Sequence, residues 1–161
     1  MTGGALQPTL LFLALGLALT FSPRTAWPAC VLALLASVTV FALLLIPKHW
    51  LEGISLCTWT SVVATAGTVY FAPGIHFRAA LGLSINAGLW AGAGAAVAGS
   101  TRDLMTALPA MLIAVPASAV AARYSSLPIK VASSWIIAVA LLAATLHLLP
   151  VTPGYLPDHL D

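Results

Sequence analysis

The stretch LGLSINAGLWAGAGAAVAGS, from Leu81 to Ser100, is uncharged, rich in glycine and long enough to span a bilayer, for which a helix needs about 20 mostly apolar residues. Its small residues recur at spacings of three and four and form one helix face, which we call the small-residue seam: Ser84, Gly88, Gly92, Ala95 and Gly99. Such a seam lets a second helix approach closely. Asn86 and Trp90 fall on roughly the opposite face. We therefore predict that this helix lies inside a helical bundle.

The composition of the whole chain indicates a membrane protein. Of its 161 residues, 61% are hydrophobic and 6% are charged, and the mean hydropathy is +1.05. Soluble domains carry about a quarter charged residues, so a chain this apolar requires lipid as its solvent. Backbone polar groups in lipid must be bonded within helices or a closed barrel, and the long runs rich in Leu and Ala favour helices. The scattered basic residues form no patch or motif typical of nucleic-acid binding, and we predict no such partner.

Proline, glycine and the rare charges divide the chain into six apolar segments. They run from about Leu6 to Phe21, Pro28 to Ile46, Gly53 to Phe71, Leu81 to Ser100, Leu104 to Ala122 and Val131 to Leu149. We predict an all-α, polytopic integral membrane protein with a bundle of six transmembrane helices over residues 1–149. The first segment is short, so five spans remain the alternative; a cleaved signal peptide is disfavoured because no basic residue precedes the apolar run. Residues 150–161 form a short polar tail.

The distribution of charge predicts an orientation. With six spans, one side of the membrane receives Arg24, Arg78, Arg123 and Lys130. The other side receives Lys48, Arg102 and all four acidic residues. Because cytoplasmic loops carry the excess of Lys and Arg, we predict an inner-membrane protein with both termini on the outer, periplasmic side.

Hydroxyl side chains follow one face of the third segment. This hydroxyl stripe consists of Thr58, Ser61, Thr65 and Thr68. Hydroxyls in lipid need hydrogen-bond partners on the backbone or on a neighbouring helix. The amide of Asn86 also needs a partner, and we predict that the hydroxyl stripe provides it. Two interpretations stay open: hydrogen bonds that lock the bundle, and the wall of a polar path. Pro116 bends the fifth helix and is a further candidate for the path.

An internal repeat of three plus three helices is compatible with the sequence. In the third segment Trp59, Val63 and Ala64 match Trp135, Val139 and Ala140 of the sixth. These identities are few in an alanine-rich background, so they do not by themselves predict a repeat.

The titratable residues favour neither an enzyme nor a cofactor protein. No carboxylate lies within an apolar segment, which disfavours proton-coupled carriers and intramembrane aspartate chemistry. The four histidines and two cysteines show no spacing typical of a metal or haem site. We predict no catalytic residues, no metal and no cofactor.

Two functions are compatible with these features. The first is transport, as a channel or carrier for a small neutral or weakly polar solute or an ion, with the hydroxyl stripe, Asn86 and Pro116 along the path. The second is a non-catalytic structural or assembly subunit of a larger membrane complex, which docks through the small-residue seam and the tail at residues 150–161. Both imply contact with the lipid bilayer, and with partner membrane subunits or further copies of this chain.

Overall fold

The computed structural model describes residues 5–44, 46–71, 74–98 and 101–148. Within these ranges the chain is helical and contains no strand, as predicted. The six α-helices are α1 Leu6–Leu19, α2 Trp27–Ala42, α3 Leu51–Gly67, α4 Phe77–Ala98, α5 Thr101–Tyr124 and α6 Leu127–Leu148. Short 3-10 turns lie at Arg24–Ala26, Lys48–Trp50 and Thr68–Tyr70. Gly99 and the tail at 150–161 lie outside the described residues.

Four helical stretches are long and apolar enough to cross a membrane, judged by length and composition: Arg24–Ala42, Phe77–Ala98, Arg102–Val120 and Leu127–Leu146. This finding confirms a helical chain suited to a membrane, and it leaves the predicted number of six spans unestablished. Helix α1 has 14 residues, which corresponds to about 21 Å, shorter than a hydrocarbon core of about 30 Å. Helix α3 has 17 residues, and the hydroxyl stripe lowers its hydropathy.

The short helix α1 lies at the centre of the bundle. Eight of its 14 residues are buried, compared with nine of the 22 residues of α4. Phe12 and Leu15 are fully buried in a hydrophobic cluster to which all six helices contribute. Because α1 is surrounded by other helices, its apolar residues pack against protein more than they face lipid.

Three pairs of helices organise the bundle around this centre. Helix α4 packs along α2, α1 packs along α5, and α3 packs along α6. Helices α1 and α4 contact each other between these pairs, and α3 also contacts both of them. The consecutive helices α5 and α6 share only a small contact. The pairing therefore joins helices that are distant in sequence.

Hydrogen bonds hold the loops together at one end of the bundle. The backbone N–H of Ile75 donates to the carbonyl oxygen of Phe21 at 2.9 Å. The hydroxyl of Tyr70 donates to the carbonyl oxygen of Lys130 at 2.5 Å. The basic residues at this end are Arg24, Arg78, Arg123 and Lys130, and they are exposed. At the opposite end lie Lys48, Glu52, Arg102 and Asp103.

Candidate functional site

The small-residue seam of α4 packs against the backbone of α2. A Cβ atom on Gly88 would lie 2.7 Å from the carbonyl oxygen of Leu34. A Cβ atom on Gly92 would lie 2.6 Å from the carbonyl oxygen of Val38. The remaining described members, Ser84 and Ala95, are buried as well. At Gly88 and Gly92 the seam is thus a contact inside the chain, because only a residue without a side chain permits this helix separation. It is not a free docking surface.

On the opposite face of α4, Asn86 forms hydrogen bonds at the contact with α3. Its Nδ2 donates to Oγ of Ser61 at 2.5 Å, and its Oδ1 accepts from Nε1 of Trp90 at 3.0 Å. Asn86 and Trp90 lie one helical turn apart, so their side chains are neighbours on the helix surface. The predicted hydrogen bond between Asn86 and the hydroxyl stripe is therefore present. We call Ser61, Asn86 and Trp90 the amide cluster.

Two of the four hydroxyls of the stripe bond to carbonyl oxygens of α3. Thr58 donates to the carbonyl oxygen of Ile54, and Thr68 donates to that of Thr65, both at 2.7 Å. Such bonds to the preceding turn are the usual way in which a helix accommodates threonine. Thr65 differs, because its Oγ1 is fully buried and has no partner among the described residues.

The unsatisfied hydroxyl of Thr65 lies one helical turn after Ser61 on α3, so the two side chains share a face. A buried polar group without a partner costs about 1–3 kcal/mol. A small polar molecule that donates or accepts a hydrogen bond can recover this energy. The structure thus places an unsatisfied, fully buried hydroxyl on the face of α3 that carries Ser61.

Pro116 does not join this group. It is exposed on α5, which packs along α1. Helix α1 also contacts α3, whereas α3 and α5 share no extended contact within the described ranges. The central helix α1 therefore lies between Pro116 and the hydroxyl stripe.

Three further polar features lay outside the sequence prediction. Gln7 on α1 donates to Oγ of Ser55 on α3 at 2.6 Å. Nε1 of Trp59 and Oγ of Ser133 are buried and find no partner among the residues that the structure describes. These polar side chains are isolated within apolar segments. No periodic pattern in the sequence therefore predicts their partners or their burial.

A groove opens between α1, α5 and α6, with a volume of about 410 Å³. Its walls include Leu13 and Leu17 of α1, Ala117 and Ser118 of α5, and Ala132 and Trp135 of α6. The hydroxyl of Ser118 is already hydrogen-bonded to the Thr20 hydroxyl and to the carbonyl oxygen of Ala114. The groove therefore presents a mainly hydrocarbon surface. We call it the α1–α6 groove.

The described side chains include no group of three or more His, Cys, Asp or Glu residues that could hold a metal ion. His49 and His76 are exposed, and the side chain of His147 lies outside the description. No family model, curated protein or solved structure matches the chain. Its function is therefore argued from the chemistry of the amide cluster and Thr65.

Proposed function

We propose that the chain is a small membrane transport protein, a channel or carrier for a small neutral or weakly polar solute or an ion. The solute path runs along the contact between α3 and α4. The observation that carries the proposal is the fully buried, unsatisfied Oγ1 of Thr65, one helical turn from Ser61 of the amide cluster. A helix that serves only to fold gains nothing from an unpartnered hydroxyl. A path for hydrogen-bonding solutes requires such groups.

The groups along this contact limit the class of solute. The described charged side chains lie in the first or last helical turns or in the 3-10 turns. The path is therefore lined by hydroxyl and amide groups without a fixed charge. Such groups exchange hydrogen bonds with neutral polar molecules, and their oxygens can replace part of the hydration shell of a cation.

Thr65→Val is expected to lower the flux of a transported solute about three- to tenfold, the loss of one hydrogen bond to the solute. Valine keeps the shape of threonine, and removal of an unpaired buried hydroxyl is neutral or stabilising for folding. Loss of flux is therefore separable from unfolding. The measurement uses purified protein in lipid vesicles, with entry of glycerol, urea and K⁺ followed by light scattering or a K⁺-sensitive dye. Asn86→Leu is a second variant in the same assay.

Thr60→Val is the matched control for this assay. Thr60 lies on the same helix but is exposed, and its hydroxyl donates to the carbonyl oxygen of Leu56 at 2.9 Å. We expect wild-type flux from this variant. Equal flux in the wild type, Thr65→Val and Asn86→Leu contradicts transport through this contact. That result favours the second function, a structural or assembly subunit in which the amide cluster only locks α3 to α4.

We extend the proposal to six spans in a bacterial inner membrane, with both termini on the outer side. The supporting observation is the collection of four exposed basic residues at one end of the bundle, the arrangement typical of a cytoplasmic face. The hydrogen bonds of Tyr70 and Ile75 bring three loops to that same end. This arrangement agrees with helices that alternate in direction.

Sided labelling tests this orientation at two exposed positions, His49 and Ser126. Cys30 and Cys57 are first replaced by alanine. A membrane-impermeant maleimide is expected to label His49→Cys in intact spheroplasts, and Ser126→Cys only after the membrane is permeabilised. The reverse pattern shows the opposite orientation, and labelling of both positions from outside contradicts the alternation of spans.

A further inference from the structure

Four helix contacts of the bundle are related by one exchange of halves. When α1 is exchanged with α4, α2 with α5 and α3 with α6, the pair α2–α4 becomes α5–α1. The pairs α3–α6 and α1–α4 become themselves. All four contacts are present in the structure. With helices that alternate in direction, this exchange is the one that an inverted repeat of three plus three helices produces.

The two long pairs also share two kinds of residue at their contacts, a glycine and a serine, although the serine is not at the matching position. A Cβ atom on Gly16 of α1 would lie 2.8 Å from Cβ of Ala114 on α5, as Gly88 of α4 lies against Ser37 of α2. In each partner helix a serine contacts the opposing helix, Ser37 in α2 and Ser118 in α5. Each serine donates to the carbonyl oxygens three and four residues earlier in its own helix.

The four described positions of α6 that are buried have buried counterparts in α3, whereas the buried Trp59 and Ala66 of α3 correspond to exposed residues. Ile54 corresponds to Ile129, an offset of 75 residues, and both are buried. At the same offset the buried residues Thr58, Ser61 and Thr65 correspond to the buried residues Ser133, Ile136 and Ala140. The sequence match between Trp59 and Trp135 has a different offset, and it is not a structural match, because Trp59 is 1% exposed and Trp135 is 69% exposed. Helix pairing and burial, rather than residue identity, carry the repeat.

The two halves differ at several contacts. Helix α1 packs on α3, for example, whereas the corresponding helices α4 and α6 share no extended contact within the described ranges. Helix α3 packs on α4, and the amide cluster joins them. The corresponding contact of α6 with α1 is smaller, and the α1–α6 groove opens beside it. The same interface is therefore closed in one half of the chain and open in the other.

We infer that these two contacts are alternating gates: closure of the α1–α6 groove accompanies opening of the α3–α4 contact. Two inverted repeats in unequal conformations can exchange those conformations, which turns the access to a central site from one side of the membrane to the other. The inference rests on the proposed function and makes the protein an alternating-access carrier rather than a channel with a fixed path. The apolar groove is then the space into which α6 moves against α1.

Two cysteine pairs report the two gates without any solute. In the protein that lacks both native cysteines, Leu17→Cys and Ala132→Cys stand on opposite walls of the α1–α6 groove. Ile54→Cys and Ala93→Cys stand across the α3–α4 contact, where both native residues belong to one buried cluster. The measured quantity is the rate at which each pair is joined by a short bifunctional thiol reagent in lipid vesicles.

Ser61→Ala is then added to each pair, because it removes the acceptor of the Asn86 amide. We expect cross-linking across the groove to become about threefold faster and cross-linking across α3–α4 to become slower by a similar factor, the effect of losing one interhelical hydrogen bond. Ala132→Leu is the complementary variant, because its larger side chain fills part of the groove. It is introduced into the protein that carries the α3–α4 cysteine pair. It is expected to make that cross-link about threefold faster. Thr60→Val is expected to change neither rate.

Opposite changes at the two pairs support the exchange. Rates that stay constant, or that rise or fall together, overturn it. The flux assay is independent of these rates, so the two proposals fail separately. Flux without opposite changes shows transport through a fixed path, and opposite changes without flux of the three probes show the exchange in a protein that does not transport them.

Discussion

Gly92→Ala is expected to lower the free energy of unfolding by about 2 kcal/mol, within the range measured for overpacked interiors. The added methyl group would lie 2.6 Å from the carbonyl oxygen of Val38 and 2.9 Å from Cβ of Phe41. Neither atom is the end of a flexible side chain, so α2 and α4 must move apart to accommodate it. The change is measured by equilibrium unfolding in mild detergent, and by the midpoint of thermal unfolding.

Gly94→Ala is the control on the same helix. A Cβ atom at this position meets nothing within 4 Å, and alanine is favoured over glycine in a helix by up to about 1 kcal/mol. We therefore expect Gly94→Ala to leave stability unchanged or to raise it. Equal stability changes for the two alanines would show that the close approach of α2 and α4 does not contribute to folding.

A covalent link between α3 and α4 is expected to reduce solute flux at least about tenfold, since a gate that cannot open leaves little exchange. Ile54→Cys and Ala93→Cys provide this link in the buried cluster beside the amide cluster. The reagent is one that joins the two cysteines through disulfide bonds, so that a reductant can cleave the link. The same vesicles are measured before cross-linking, after it, and after reduction. Flux is expected to return with the reductant, which separates arrest of a gate from damage to the protein.

The two single variants, Ile54→Cys and Ala93→Cys, are treated with the same reagent as controls. Both are expected to keep their flux, because modification of one cysteine does not join the helices. Full flux through the cross-linked protein would contradict a path that requires α3 and α4 to separate.

The features that depend on local pattern were predictable from the sequence. The period of small residues identified Gly88 and Gly92, because close packing of two helices requires glycine at intervals of about one turn. An unpaired amide in lipid is costly, so the sequence predicted that Asn86 has a hydrogen-bond partner. The hydroxyl stripe was the candidate, and Ser61 is the partner in the structure.

The pairing of the helices was not predictable in the same way. Hydropathy distinguishes apolar from polar residues, but a residue that faces lipid and a residue that faces another helix are both apolar. The sequence therefore did not indicate that α1 is more enclosed than α4. It also did not indicate that α1 separates Pro116 from the hydroxyl stripe, because no local pattern specifies which helices become neighbours.

The central position of α1 has a consequence for biogenesis. The hydrogen bond between Thr20 and Ser118 joins residues 98 positions apart, so α1 meets its main neighbour only after four further helices, including α5, have been synthesised. Until then Gly16 and the surrounding face of α1 have no protein to cover them. The packing of α1 is therefore completed late in synthesis, and a chain truncated before α5 leaves this face of α1 unprotected from quality-control proteases.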